Sequence, residues 1–579
     1  MTAPLIYKLT IERFRGIRAL TWLPAKGVNM FLGGGDAGKT TILDAIALLL
    51  APTNATSLSD ADYHSRSLAD GFKIEAVMSL PPELIGTQTL KPAWPWDWKD
   101  TQVLVPAIGE EGQVGEAVYV LRVTGTPELE LLHEIVQPNG DTDHLSVALR
   151  RAIGIIRLGG DDRNDRDLRL VQGSALERLL SDRGLRSRLG NKLARSDVKT
   201  ELQDEAKAAL SDLDEAFKAK ALPHQLDLAV TGAQGITITA LIGLTANQGG
   251  VQLPLSNWGS GTRRLSALAI AEQNQNDLSV RLVDEVERGL EPYRQRALIQ
   301  KLQSEPSQAF ITTHSTSAVG AATASALWYL DHTGVIGKLD RSKIAAHQTR
   351  EPETFLSRFA IIAEGATEVG FLTTLLERAL GSSLAIHGII VTDGSGHETT
   401  LSLLEALSAG GLKFGGFADN EGGLHPERWQ RIQDRVGNLL FRWQAGSLEH
   451  NLIPAVPADR LEAFIVDPEG GPGNRLRTLA VRLGIDDKSF PAIRAAAGDR
   501  LIPLIIEAAT GAVPVDKQEE QKIYKSHAGT WFKSLEGGRE LADKMFAMEL
   551  WPQFKERLMP FLNAVRAAVG LPPIADLPP

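Results

Sequence analysis

The sequence contains no cysteine, which excludes disulfides and thiolate metal sites and fits a reducing compartment. It has no uninterrupted apolar run near the roughly 20 residues that cross a bilayer, so no membrane segment is expected. The opening stretch, MTAPLIYKLTIERF, lacks the charged start and long apolar run of a secretory signal. A cytoplasmic location is the expectation. Internal repeats and low-complexity tracts are missing too. So is any excess of positive charge. The formal net charge is -10, so the overall field repels phosphate, and a nucleic-acid partner would need a local basic surface. Acid-rich metal sites contribute to such a balance. What is present is ordinary for a globular chain: 43% hydrophobic and 23% charged residues over a length of 579. That length is too great for one core, so two or more domains are expected.

The first stretch reads as strands and turns. LIYKLTIERF alternates, GVNMFLGG is a short apolar strand ending in glycines, and FKIEAVMSL, AVYVLRV and LELLHEIV follow. From about residue 172 to 222 the pattern changes. Val198, Leu202, Ala206, Leu210, Leu213 and Phe217 recur every three or four residues between charges. That is one apolar stripe on a helix, which packs on the main core or forms a dimerisation arm inserted into the domain. Strands resume with LDLAV, ITITALIGL, VRLVDEV and QAFITTHS. Near HQTREPETFLSR the pattern restarts with FAIIAEG, IHGIIVTDG, LKFGGFADNE and VGNLLFRW, with helices between, which argues for a second parallel-sheet domain. The tail GLPPIADLPP reads as loose.

Residues 33–40 fit G-x-x-x-x-G-K-[ST], between a strand and the helix TTILDAIALLL, the setting this motif requires. Gly33, Gly38 and the intervening Asp36 form a loop whose amides face phosphates, and the helix start adds partial positive charge. Lys39 would reach the β- and γ-phosphates, Thr40 would ligate Mg²⁺, and Thr41 continues the helix start. In VRLVDEVERGLEP, three apolar residues, Val280, Leu282 and Val283, lead into Asp284 and Glu285. Asp284 would hold the magnesium shell and Glu285 would polarise the attacking water. His314, at the tip of AFITTHS, is placed to touch the γ-phosphate. In SNWGSGTRRLSALAI, Ser260 and Gly261 precede a helix starting near Thr262, a second phosphate-binding surface. One site does not need two such surfaces, but two copies facing each other would use one from each.

This order of motifs resembles the ABC-type ATPases, especially the branch with RecF and the SMC-like repair proteins, in which a signature loop completes the partner's ATP site. GSGTRR departs from the usual LSGGQ wording. No glutamine stands out for that family's Q-loop. LSDADYHSRS lies in about the right place, with Asp62 as its candidate.

After residue 350, FAIIAEGATEVGFL runs a strand into Glu364, with Glu368 one helical turn later, and FGGFADNEGG ends another strand at Asp419 and Glu421. Alternate residues at a strand end point the same way, so these carboxylates can converge. Four acids together repel unless cations join them, and hard divalent ions such as Mg²⁺ or Mn²⁺ suit such a site. Two metals can activate water and stabilise the leaving oxygen of a phosphodiester.

AEGATE followed by ADNE resembles a Toprim domain, and an ABC-type ATPase followed by Toprim is similar to the OLD (overcoming lysogenization defect) family of ATPase–nucleases. The resemblance covers nearly the whole chain and implies metal-dependent DNA cleavage. One branch, including the nuclease subunit of Gabija, works in phage defence beside a helicase. Glu364 and Glu368 match the first acidic motif and Asp419 the second, while Glu421 replaces the usual aspartate. Glu449 in GSLEHNLI is a further acid, with Glu462 as its rival. VTDGSG resembles the glycine turn between the acidic motifs, and the family's late lysine is Lys533 or Lys525.

The expectation is therefore an α/β protein. Its ABC-type ATPase would occupy 1–171 and 223–348, with a helical dimerisation arm at 172–222 and a Toprim nuclease domain with helical additions at 349–579. It would bind ATP and Mg²⁺ or Mn²⁺, act on DNA, and form a homodimer. The alternative is an ATP-gated, RecF/SMC-type DNA clamp with an inactive Toprim domain. Strand passage would need a tyrosine nucleophile. With six tyrosines and no winged-helix segment to carry one, that reading is set aside.

Overall fold

The computed structural model describes residues 3–54, 57–81, 84, 93–106, 115–159, 163–171, 174–180, 182, 199–230, 242–273, 279–331, 333–420, 422–466 and 474–578. Contacts group the chain into two units, Met1–Leu32 with Gly38–Trp328, and Gly33–Ala37 with Tyr329–Pro579. The division falls after Trp328, earlier than the expected break near residue 348. The intervening helix Arg341–Arg350 belongs to the second unit, where buried His347 bonds the Thr354 hydroxyl at 3.0 Å.

The first unit carries an antiparallel sheet and a parallel one. Leu5–Phe14 alternates buried and partly exposed residues and pairs antiparallel with both Ile17–Trp22 and Phe72–Ser79. Glu116–Gly125 and Leu131–Val136 extend the sheet. In the parallel sheet, Ile155–Leu158 lies beside Val280–Val283, then Ala309–Thr312, then Val28–Leu32. Three of its inner strands, VRLV, AFIT and VNMFL, are buried at every position, which is why they are mostly apolar rather than alternating. Loops leaving the carboxyl ends of such strands are where α/β proteins place ligands.

The apolar stripe forms the helix Asp204–Ala219. Leu202, Ala206, Leu210, Leu213 and Phe217 are buried with Leu168, Leu176, Ile242, Leu244, Ala269 and Ile270 in one core of the same unit. Of the two expected alternatives for this stripe, the helix Asp204–Ala219 takes the first, packing on the core of its own unit. Its apolar face is covered by its own chain, at about 1.5–3 kcal/mol for each large side chain, and offers no seam. Val198 lies outside the described residues.

The second unit is built on four parallel strands in the order Ile389–Asp393, Phe359–Ala363, Gly415–Ala418, Leu440–Arg442. The helix Ala366–Leu380 packs closely along the helix Leu535–Ala547. A Cβ on Gly370 would come within 1.9 Å of the Leu535 carbonyl oxygen, and one on Gly538 within 2.0 Å of that of Thr367. Only glycine permits this approach. One core runs from Phe359 to Leu577. The tail is therefore tied down rather than loose: Asp576 accepts from Trp551 Nε1 at 2.7 Å, and the Ile574 amide donates to Asn563 Oδ1 at 2.8 Å.

Candidate functional site

The strand Val28–Leu32 ends in Gly33 (φ 119°), Asp36 (φ 58°) and Gly38 (φ 94°), left-handed positions that turn the chain into the helix Lys39–Leu49. Lys39 is buried at the helix start and Thr40 is exposed beside it. Thr41 follows in the first turn. The Thr40 hydroxyl donates to Asp284 Oδ1 at 3.1 Å, and Thr312 donates to the same oxygen at 2.6 Å. A hydroxyl and a buried carboxylate so joined are the pair that a nucleotide-bound Mg²⁺ needs. Glu285 follows with its carboxylate 45% exposed and 3.5 Å from Arg288 Nη1. His314 follows the next strand, its amide donating to Glu287 Oε1 at 2.8 Å. Partial burial, then the Lys39 charge, lower its imidazole pKa against the pull of Glu287, Glu285 and Asp284. The chain thus brings Lys39, Thr40, Asp284, Glu285 and His314 to adjoining strand ends.

The helix of the GSGTRR segment begins at Ser260, slightly ahead of the expected Thr262, and Ser260 is exposed. Asp62, the Q-loop candidate, is engaged locally. It accepts from Arg15 Nε at 3.0 Å and from the Ser59 amide at 3.0 Å. Sequence reasoning missed Arg264, whose buried guanidinium donates to main-chain carbonyls of the Asp284–Glu285 turn. No linear signal separates it from Arg263 beside it, which pairs with Asp165 at 2.5 Å instead.

In the second unit, Glu364 leaves the strand Phe359–Ala363, and Glu368 opens the following helix. Asp419 leaves the strand Gly415–Ala418, its amide donating to Glu364 Oε2 at 3.1 Å. Its Oδ1 accepts from the Leu448 amide at 3.1 Å, which draws Glu449 to the same place. Glu368, Asp419 and Glu449 are all buried, at 3%, 4% and 0% exposure. Among the described residues, none donates a hydrogen bond to Glu368 Oε1 or Glu449 Oε1. Lys533 Nζ stands 3.6 Å from Glu449 Oε1. Desolvation, then the neighbouring acids, push Asp419 up to about 9, with Lys533 opposing. Desolvation, then Glu449, push Glu368 up to about 7.

Glu462 is exposed on another helix, and Lys525 is exposed on the helix Gln521–His527. It is therefore Glu449 and Lys533 that stand with the other acids. Glu421 lies outside the described residues. Sequence reasoning noticed the VTDGSG turn but missed the next residue, His397. Both its ring nitrogens are buried without a hydrogen-bond partner among the described residues, and Nδ1 is 3.6 Å from Glu364 Oε2. Among the described residues, no three His, Asp or Glu side chains are drawn tightly enough to chelate a metal ion as they stand. The donor set is nonetheless all-oxygen, buried and short of positive charge, which is the chemistry hard divalent cations satisfy. No helix among the described residues is long and apolar enough to cross a membrane.

The family described as "AAA domain, putative AbiEii toxin, Type IV TA system" matches residues 137–320. The chain is 34% identical over 79 residues to the DNA replication and repair protein RecF of Chloroherpeton thalassium, an overlap of 14% of this chain and 21% of that protein. It thus spans about a fifth of the length of the curated relative it matches. Among solved structures, it is similar to an SmcHead bound to the C-winged helix domain of ScpA, with 16% identity, 59% of this chain and 99% of that one covered, and a TM-score of 0.40. It is also similar to the recombination mediator protein RecF-ATPrS, with 11% identity, 58% and 99% covered, and a TM-score of 0.35. The matched family stretch carries Ser260, Asp284, Glu285 and His314, and Thr40 of the same unit bonds Asp284. The first unit has an α/β ATPase-head fold, and its residues 137–320 are similar to this AAA-domain family.

Proposed function

We propose that this chain is an ATP-switched, DNA-binding ATPase of the RecF type, whose hold on DNA changes with bound nucleotide. The observation that carries the reading is the joining of the P-loop to the strand-end acids through the Thr40–Asp284 hydrogen bond. The matched family and the DNA replication and repair relative support it. Lys39 and the loop amides would hold the phosphates, Thr40 and Asp284 would hold Mg²⁺, and Glu285 would orient the attacking water. Ser260, exposed at its helix start, with Gly261 buried beside it, would complete the ATP site of a second copy, so nucleotide would favour a homodimer. The test is DNA retention on filters with ATP, with ADP and without nucleotide. Retention that follows the ATP state, and loses that dependence in Lys39→Ala, supports the reading. Equal retention in all three conditions overturns it.

A second reading adds metal-dependent phosphodiester cleavage, of the OLD and Toprim kind, in the second unit. The observation favouring it is the set of Glu364, Glu368, Asp419 and Glu449, the last three buried, with Glu368 and Asp419 raised in pKa and Lys533 facing Glu449. These carboxylates, with Glu421, would hold Mg²⁺ or Mn²⁺, which when bound supplies an activated water and neutralises the leaving oxygen. Lys533 would offset charge growing on the scissile phosphate. Phage defence beside a separately encoded helicase, or DNA repair, belongs to this reading. Plasmid cleavage with Mg²⁺ or Mn²⁺, lost in chelator and in Asp419→Ala, supports it. An intact plasmid under every condition leaves the ATP-switched clamp with an inactive second unit.

A further inference from the structure

We infer that Arg264 is a positioning residue for ATP hydrolysis, its guanidinium holding Glu285 in a left-handed backbone conformation at the strand end. The inference rests on the ATPase reading of the first unit. Glu285 has φ 47°, a region that strains a residue bearing a side chain and persists only when its surroundings enforce it. Its surroundings do so from both sides. The Glu285 amide donates to Thr312 Oγ1 at 2.8 Å. The Glu285 carbonyl accepts from Arg264 Nη1 at 2.7 Å, and the Asp284 carbonyl accepts from Arg264 Nη2. Nη1 also donates to the Arg288 carbonyl at 2.8 Å. One planar fork therefore spans three carbonyls of a single turn, which a lysine ammonium on a flexible stem does not reproduce. Asp284 and Glu287 lie close enough to offset the charge of the buried guanidinium.

The same arginine links this turn to the helix Ser260–Gln273. At the start of that helix the contact is backbone against backbone. A Cβ on Gly261 would fall 2.0 Å from the Gly289 carbonyl oxygen, and one on Gly289 would fall 2.5 Å from Ser260 Oγ. The helix start and the 284–290 turn are thus locked by two glycines at one end and by Arg264 at the other. Whatever engages the exposed Ser260 end is transmitted to the Glu285 backbone. Arg264 touches no nucleotide-facing atom in this arrangement, so its contribution lies in turnover rather than in ATP affinity.

The test compares Arg264→Lys and Arg264→Ala with the wild-type chain in ATP turnover, fluorescent-ATP affinity and melting temperature, with Glu285→Gln as control. The expected result is a fall in kcat of about tenfold or more, with affinity and melting temperature nearly unchanged in Arg264→Lys. Low-millimolar guanidinium should restore part of the turnover of Arg264→Ala. Wild-type kcat in Arg264→Lys overturns the inference. So does a joint loss of kcat, affinity and melting temperature without guanidinium rescue, which marks a merely structural arginine. If Glu285→Gln itself turns over ATP like the wild type, the ATPase reading fails rather than the role of Arg264.

Discussion

The hydroxyl of Thr40 meets the carboxylate of Asp284 at 3.1 Å across 244 positions of chain. Parallel pairing makes this possible. Val28–Leu32 lies beside Ala309–Thr312, and that strand beside Val280–Val283, so three carboxyl ends open on one edge. Thr312, on the middle strand, holds the end of Val280–Val283 twice: it donates to Asp284 and accepts from the Glu285 amide.

Replacing Thr312 by valine keeps the shape but removes both bonds. The Glu285 amide then loses its partner, at about 1–3 kcal/mol for a buried donor, and the Asp284 carboxylate loses one of the two hydroxyls that donate to it among the described residues. ATP turnover should fall about tenfold or more while the chain stays folded. Steady-state phosphate release with a circular-dichroism control measures this. Unchanged turnover would show that Asp284 and Glu285 are held by other contacts.

Leu213 is fully buried in the first unit's own core. Leu213→Asp should therefore unfold or severely destabilise that unit, by about 4 kcal/mol or more. Urea denaturation reads the loss. A folded chain that merely changes from dimer to monomer by light scattering would restore the dimerisation arm.

How far the sequence discloses this molecule depends on the range of the interactions. The P-loop was legible because its glycines, lysine and threonine act within eight consecutive positions. Asp284 and Glu285 were legible because a buried parallel strand is apolar to its end. The stripe through Leu210 and Leu213 was ambiguous, since a helix shows the same periodicity whether it faces its own core or another chain. Glu449 and Glu462, or Lys533 and Lys525, differ only by three-dimensional placement. Glu449 arrives through the Leu448 amide bonding Asp419, which no spacing rule encodes. Arg264 and His397 act through carbonyls and a carboxylate remote in sequence, and neither carries a local pattern.

The acid set of the second unit gives a pH signature in chelator. Asp419 is pushed up to about 9 from 3.8, so between those values the folded chain retains a proton that the unfolded chain has released. Stability of the metal-free protein therefore falls as pH rises through that window. Asp419→Asn cannot ionise. It should flatten the fall, raise the melting temperature at alkaline pH in chelator, and reduce the gain on adding Mn²⁺. Glu368, pushed up to about 7, keeps part of the slope. A variant with the wild-type pH profile and the wild-type Mn²⁺ response would place Asp419 outside any cation site.

The most direct test is ATP binding and turnover measured together in Lys39→Ala and Glu285→Gln. Lys39 starts the P-loop helix, and Glu285 ends its strand beside the Thr40–Asp284 pair. Lys39→Ala should neither bind nor hydrolyse ATP appreciably. Glu285→Gln should bind ATP like the wild type yet turn it over about a hundredfold more slowly, the scale of a lost water-polarising carboxylate. Turnover near the wild-type rate in either variant would contradict the account at its centre.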